Sequence, residues 1–284
     1  MSRLAILTDT DSSLPLDLAQ KHGIVQVPIV IQFGDESFKD VYEINNEILF
    51  PRIDREGKLP TTAAPAPGQF AEAFRAAFDS GAEEILCLNI SSEMSATYAS
   101  ARQAAEMFPG QRIEVMDTRS LALGQGWMAM AAAEVAARGG AIEDAIAAAE
   151  DVRDRTYLFG ALATLKYIAM SGRVSHLAAG MAGLLDIKPI LSLQNGKLSL
   201  LEKIRTQSKA WTRTVELTVE AAAGRRIEKM AILNVNCREA ARQFEAQLRA
   251  ALPCPEEILH ADMNPGLSCH TGAGMVAVVF AVEK

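Results

Sequence analysis

Through its first half the chain alternates short, β-branched apolar runs with longer stretches of helical periodicity. The runs predict strands at 3–7, 24–33, 85–90 and 113–116, and the periodic stretches predict helices over about 67–80, 97–108, 120–138 and 142–155. Pro15 falls where the first turn of a helix tolerates proline, just beyond the polar run Thr8-Asp9-Thr10-Asp11-Ser12-Ser13. Alternation of this kind implies an α/β fold with a parallel, helix-covered sheet.

After about residue 156 the pattern changes. Asn195-Gly196 sits between two apolar runs, the strongest short-range hairpin signal. Helical patterns over about 207–223 and 238–251 are each followed by a strand candidate, at 229–235 and 275–282. These features predict a C-terminal α+β domain with a mainly antiparallel sheet. Domains are therefore expected at 1–156 and 157–284, in keeping with a 284-residue chain too long for one ordinary core.

Charge and composition narrow the partners. A net charge of −7 with no Lys/Arg run argues against nucleic acid. No stretch reaches the ~20 apolar residues a membrane span needs, because Glu134, Arg138 and Gly139-Gly140 interrupt the alanine-rich segment 127–149. The opening apolar run is too short for a signal peptide and acidic residues follow it. The cysteines at 87, 237, 254 and 269 form no close pair. A reduced, cytoplasmic protein without structural disulfides is the expectation.

Three polar loops carry the candidate chemistry. The apolar run Leu86–Ile90 stops on Ser91, Ser92, Ser95 and Thr97; Thr61 and Thr62 open a second loop; Cys269-His270-Thr271-Gly272-Ala273-Gly274 closes the chain's polar set. A strand ending in small hydroxyls and free backbone amides is how open α/β proteins build anion sites. The fragment Gly124-x-Gly126-x-x-Ala129 matches a loose dinucleotide fingerprint, but it lies too far beyond its strand and reads better as close packing within a helix. No phosphate-loop lysine motif and no GxSxG elbow occur. A serine hydrolase using Ser92 or Ser95 with His270, oriented by Asp9 or Asp117, stands as the alternative. Cys269 beside His270 on a strand would point to the opposite face, so a buried structural thiol accounts for it better. Histidines 22, 176, 260 and 270 lack metal-ligand spacing, and neither a metal nor a cofactor is expected. Hydroxyls, amides and one histidine suit a carboxylate or phosphate that is held rather than transformed, although Ser and Thr also commonly cap helices.

In this order the motifs resemble the DegV family of bacterial fatty-acid-binding proteins. The resemblance is carried by Thr8–Pro15, Pro60-Thr-Thr-Ala-Ala-Pro65, Ile90-Ser-Ser-Glu-Met-Ser-Ala-Thr-Tyr98 and Met170-Ser-Gly-Arg-Val174. Ile187-Lys-Pro-Ile-Leu191, Lys203-Ile-Arg205 and Cys269–Gly274 complete it, collinear over about 3–282. It implies two α/β domains, a long-chain fatty acid tunnelled into one, and its carboxylate at their junction. By resemblance Thr62, Ser95, Arg173 and His270 hold that carboxylate or order the network around it. Thr61, Ser91, Ser92, Thr97, Thr271 and Gly272 belong to the supporting loops. Arg205 marks a surface that meets a fatty acid kinase, which phosphorylates the acid for phospholipid synthesis. The protein would then be a carrier without catalytic residues of its own, with no stable membrane insertion. A further possibility is a regulatory protein whose lipid is a structural plug. Tail-lining candidates lie in 24–33, 158–168 and 181–191. The chain departs from the family pattern at Ala63, Ala64, Ala96 and Ser171, which removes a hydroxyl and an amide near the head group and glycine's freedom at 96.

Overall fold

The computed structural model of this protein describes residues 3–171 and 187–284. The chain divides into two compact units, one of Met1–Asn45 with Leu59–Asp154, the other of Asn46–Lys58 with Arg155–Lys284. The first 63 residues run β1 (Leu4–Asp9), a 3-10 turn (Thr10–Ser12), α1 (Leu16–Lys21), β2 (Ile24–Val27), β3 (Val30–Phe33), β4 (Glu36–Lys39), α2 (Asn46–Glu56) and β5 (Thr61–Ala63). The first unit then continues with α3 (Pro67–Asp79), β6 (Glu84–Asn89), α4 (Thr97–Ala105), β7 (Arg112–Asp117), α5 (Ala122–Ala137) and α6 (Ile142–Asp154).

Its main sheet has the order β2-β1-β6-β7, parallel throughout. The central strand β6 carries Ile85, Leu86, Cys87 and Leu88, each with no exposed surface, as a strand covered by helices on both faces must. Phe70 and Phe74 of α3 and Ala101 and Ala104 of α4 pack on Leu7, Ile85 and Cys87. On α5, a Cβ at Gly126 would lie 3.1 Å from the Ser12 carbonyl oxygen, so this glycine brings helix and 3-10 turn together. Gly124 and Gly126 both lie inside α5, and at Gly126 the absent side chain serves packing.

The expected single strand at 24–33 is two. Pro28 has no N–H to give a ladder, and the chain leaves the parallel sheet there. β3 instead joins a three-stranded antiparallel sheet, β4-β3-β5, in which Thr62 pairs with Ile31.

The second unit adds β8 (Thr156–Ala161), α7 (Lys166–Ser171), β9 (Lys188–Gln194), β10 (Lys197–Ile204) and α8 (Gln207–Ala222). It ends with β11 (Ile227–Asn234), α9 (Arg238–Ala251), β12 (Leu259–Asp262), α10 (Pro265–Thr271) and β13 (Val276–Val282). The sheet order is β10-β9-β8-β13-β11-β12, antiparallel except for the β11–β12 pair. The β9–β10 hairpin turns on Asn195 and Gly196 with φ of 52° and 82°, the positive pair that a type I′ turn requires. Every residue of β13 is buried, and Phe280 stacks on Tyr157 at 5.2 Å beside Phe159.

The first unit ends at Asp154 and the second resumes at Arg155, with Asn46–Lys58 also in the second. The chain therefore crosses between these units three times. The reason is the buried face of α2: Asn46 Nδ2 donates to the Met263 carbonyl (2.7 Å), and Phe50 meets Tyr167 edge-on at 6.4 Å. Among the described residues no helix is long and apolar enough to cross a membrane.

Truncating the fully buried Phe280 to alanine is expected to lower the unfolding free energy by about 3–5 kcal/mol, read from the denaturant midpoint. A loss below about 1 kcal/mol would show that the second unit's core does not centre on this ring.

Candidate functional site

Strands β1, β6 and β7 of the parallel sheet end on Asp9, Asn89 and Asp117, at the edge where open α/β sheets place their sites. Asp9 is fully buried and accepts four hydrogen bonds. They come from Ile90 N (2.9 Å), Gln125 Nε2 (3.0 Å), Asn89 Nδ2 (3.1 Å) and Asp11 N (3.1 Å). Burial raises its pKa above the ordinary carboxylate value, and these four bonds oppose the rise. Gln125 Nε2 also donates to Thr8 Oγ1 (2.9 Å), which donates to the Leu88 carbonyl (2.8 Å). Thr118 Oγ1 closes the other side by donating to the Asn89 carbonyl (2.7 Å). Burial, and after it the Asp9 charge, push up the pKa of the neighbouring Cys87 thiol, which favours its neutral form.

The hydroxyl turn leaves this network at Ile90. Ser91 is buried; its N–H donates to the Ser120 carbonyl (2.9 Å), and its own carbonyl accepts from Met94 N (2.9 Å) and Ser95 N (3.2 Å). Ser92 is exposed and turns to Asp117, donating through Oγ (2.5 Å) and N (3.1 Å). Ser95 is half-buried. Its Oγ shares a hydrogen bond with Thr97 Oγ1 (2.8 Å) and accepts from Thr97 N (3.3 Å). Ala96 has φ −74° and ψ −1°, right-handed helical values open to any residue, so alanine there adds no backbone strain.

The Ser100 hydroxyl on α4 donates to the Pro65 carbonyl. This bond ties the helix that follows Ser95 to the loop that follows Thr62. A hollow of about 730 Å³ lies between them, with Ala64, Pro65, Ala96, Tyr98, Ser100 and Arg102 among its lining residues. Thr62 is half-buried in β5, while Thr61 and Ala63 on either side are exposed. The departure at Ala63 therefore removes a hydroxyl from a wet position.

His270 and Thr271 close α10 on the second unit. The expectation of a strand here is corrected: Cys269 and His270 are successive residues of a helix. Cys269 is buried with its Sγ donating to the Gly266 carbonyl (3.0 Å), and His270 is half-buried. Thr271 Oγ1 donates weakly to the Leu267 and Ser268 carbonyls (3.4 and 3.5 Å). Gly272 has φ 82°, and a Cβ there would come within 2.3 Å of the Tyr167 ring, so only glycine fits. Arg205 is exposed between β10 and α8, with no hydrogen-bond or ion-pair partner among the described residues. Arg173 and residues 181–186 of the tail-lining set lie outside the described residues. No group of three or more His, Cys, Asp or Glu among the described residues is arranged to hold a metal.

The sequence pattern missed Asn89, Thr118 and Gln125. Gln125 had a signal: it is the polar residue in the otherwise Ala-, Gly-, Leu- and Met-rich start of α5.

A parallel sheet ending in hydroxyl turns, joined to a mainly antiparallel six-stranded unit, defines a two-unit α/β protein. The family described as "Uncharacterised protein, DegV family" matches residues 3–283, and the chain belongs to it. A DegV domain-containing protein of Streptomyces coelicolor is 33% identical over 280 residues, covering 98% of this chain and 99% of that one. A DegV family structure from Thermus thermophilus described by its fatty acid binding matches at TM-score 0.90 and 30% identity, with 100% of both chains covered. DegV of Bacillus subtilis, described as a fatty acid binding protein, matches at 0.88 and 26% over 100% of both chains.

Because burial raises Asp9 above its ordinary value of 3.8, the folded chain binds this proton more tightly than the unfolded chain. Its stabilising contribution is full below the ordinary value and is lost as pH rises through the raised folded value. Thermal melts from about pH 3 to about pH 7 should show wild type losing stability relative to Asp9→Asn as pH climbs, whatever the constant offset between them. Parallel curves would contradict the raised value.

Proposed function

We propose that this chain binds a long-chain fatty acid in a buried tunnel and presents its carboxylate to a fatty acid kinase. The acyl phosphate so formed feeds phospholipid synthesis. The observation that carries the reading is the likeness, over the whole of both chains, to the Thermus thermophilus protein described by its fatty acid binding. Thr62, Ser95, Arg173 and His270 are assigned to the carboxylate, with Thr61, Ser91, Ser92, Thr97, Thr271 and Gly272 shaping the loops around it. The protein is then a cytoplasmic carrier that needs no cofactor, and the kinase supplies the chemistry.

Energetics favour such a ligand. Burying a methylene contributes about 0.8 kcal/mol, so a tail of about 16 carbons gives on the order of 12 kcal/mol before association and ordering costs. A carboxylate removed from water loses several kcal/mol of that unless donors meet it. Hydroxyls already ordered by their neighbours, such as Ser95 against Thr97, are suitable donors. The hydrolase alternative draws no support from Ser92, whose hydroxyl donates to Asp117 rather than to a histidine.

Solvent extraction of the purified protein followed by mass spectrometry should release a long-chain acid. Lipid-free protein that also takes up no added acid would sink the proposal. Ser95→Ala and His270→Ala should each weaken acid binding about tenfold or more in a fluorescence titration, as expected for losing a hydrogen bond to a charged group. Arg205→Ala should leave that affinity unchanged and slow phosphorylation of the bound acid by the kinase. An equal loss of binding in Arg205→Ala would refute this division of labour.

A further inference from the structure

Asp9 has no part in the binding scheme above, and among the described residues it belongs to no ion pair. Its Oδ1 accepts from Gln125 Nε2 and Asp11 N, and its Oδ2 from Ile90 N and Asn89 Nδ2. All four of these groups donate. A carboxylate fits such a shell, whereas a neutral amide of the same shape sets its own N–H groups against two donors whichever way it turns.

The bond to Ile90 N reaches furthest. Ile90 is the first residue beyond β6, and the next residue, Ser91, organises the turn by accepting from both Met94 N and Ser95 N. Two further anchors fix where that turn departs: Thr118 on the Asn89 carbonyl and Ser120 on Ser91 N. Both of those are neutral contacts. Asp9 supplies the third, and it alone among the three joins the turn to β1 and α5 at once.

We infer that Asp9 is the positioning residue for Ser95: its carboxyl oxygens hold Ile90, which sets the turn that aims the Ser95 hydroxyl at a bound fatty acid carboxylate. This role rests on the fatty-acid reading of Ser95. It makes the affinity for the acid depend on a side chain that touches no ligand atom.

The test is a double-variant cycle on the full chain. A fluorescent long-chain fatty acid is titrated into wild type, Asp9→Asn, Ser95→Ala and the combined variant, with circular dichroism confirming that each is folded. Asp9→Asn should weaken binding about tenfold in the wild-type background and about twofold or less where Ser95 is already alanine. If Asp9→Asn does not fold, Gln125→Met takes its place. Among the described residues the Gln125 Oε1 atom is buried without a hydrogen-bond partner, so methionine strands no donor there while removing one of the four bonds to Asp9. A smaller loss of about threefold is then expected, again confined to the background that retains Ser95. Equal losses in both backgrounds, or none in either, overturn the positioning role. Failure of wild type to bind the acid at all overturns the fatty-acid reading instead.

Discussion

A carboxylate taken wholly out of water must be met by donors, and that requirement at Asp9 governs the C-terminal edge of the parallel sheet. Four N–H groups converge on it from β1's own continuation, from Asn89 at the end of β6, from Ile90 beyond it, and from Gln125 in the first turn of α5. Strand, turn and helix are thereby held to one point. A missing donor would leave part of a buried charge unsolvated, so none of the three can shift independently. The apolar core below needs no such exactness of contact. Leu7, Ile85 and Phe74 interdigitate without direction, and a comparable set of apolar residues would fill the same volume.

The second unit meets its own constraint in a different way. There the polar loop is fixed by backbone geometry: α10 ends because Gly272 adopts φ 82°, and the Tyr167 ring fills the space where any side chain would stand. Tyr167 is itself fixed edge-on against Phe50 of α2. The conformation of the His270-Thr271-Gly272 stretch thus depends on a helix whose residues precede it by more than half the chain.

Much of this was legible in the residues. Ile85–Leu88 reads as a central strand because the run has no wet side, and Asn195-Gly196 reads as a hairpin because few other pairs tolerate two positive φ values. Pro28 hides inside an apolar run, yet it removes the N–H that a continuous strand at 24–33 would need. The seven-residue α10 was missed because Pro265-Gly266 before it and Gly272 after it look like loop, and one helical turn or two leaves no periodicity to find. The site was harder. A hydroxyl that binds ligand and one that caps a helix have the same sequence signature, and Ser95 Oγ does accept from Thr97 N. Only the collinear family motifs singled it out. Asp9, conversely, enters the sequence reading only as a candidate orienter for the hydrolase alternative, and nothing in the spacing foretells that it is buried.

The excursion of the chain into α2 reaches beyond packing. Asn46–Lys58 is synthesised long before Arg155 and the strands that follow, yet its buried face belongs with them. While the ribosome makes the intervening residues, the Tyr167 ring that Phe50 meets and the Met263 carbonyl that Asn46 binds have yet to be synthesised. The N-terminal unit must close around a gap in its own sequence, and the helix must wait for its partners to emerge. No single cleavage point separates this protein into its two units: cutting at residue 155 leaves Asn46 and Phe50 on the first piece and their partners Met263 and Tyr167 on the second.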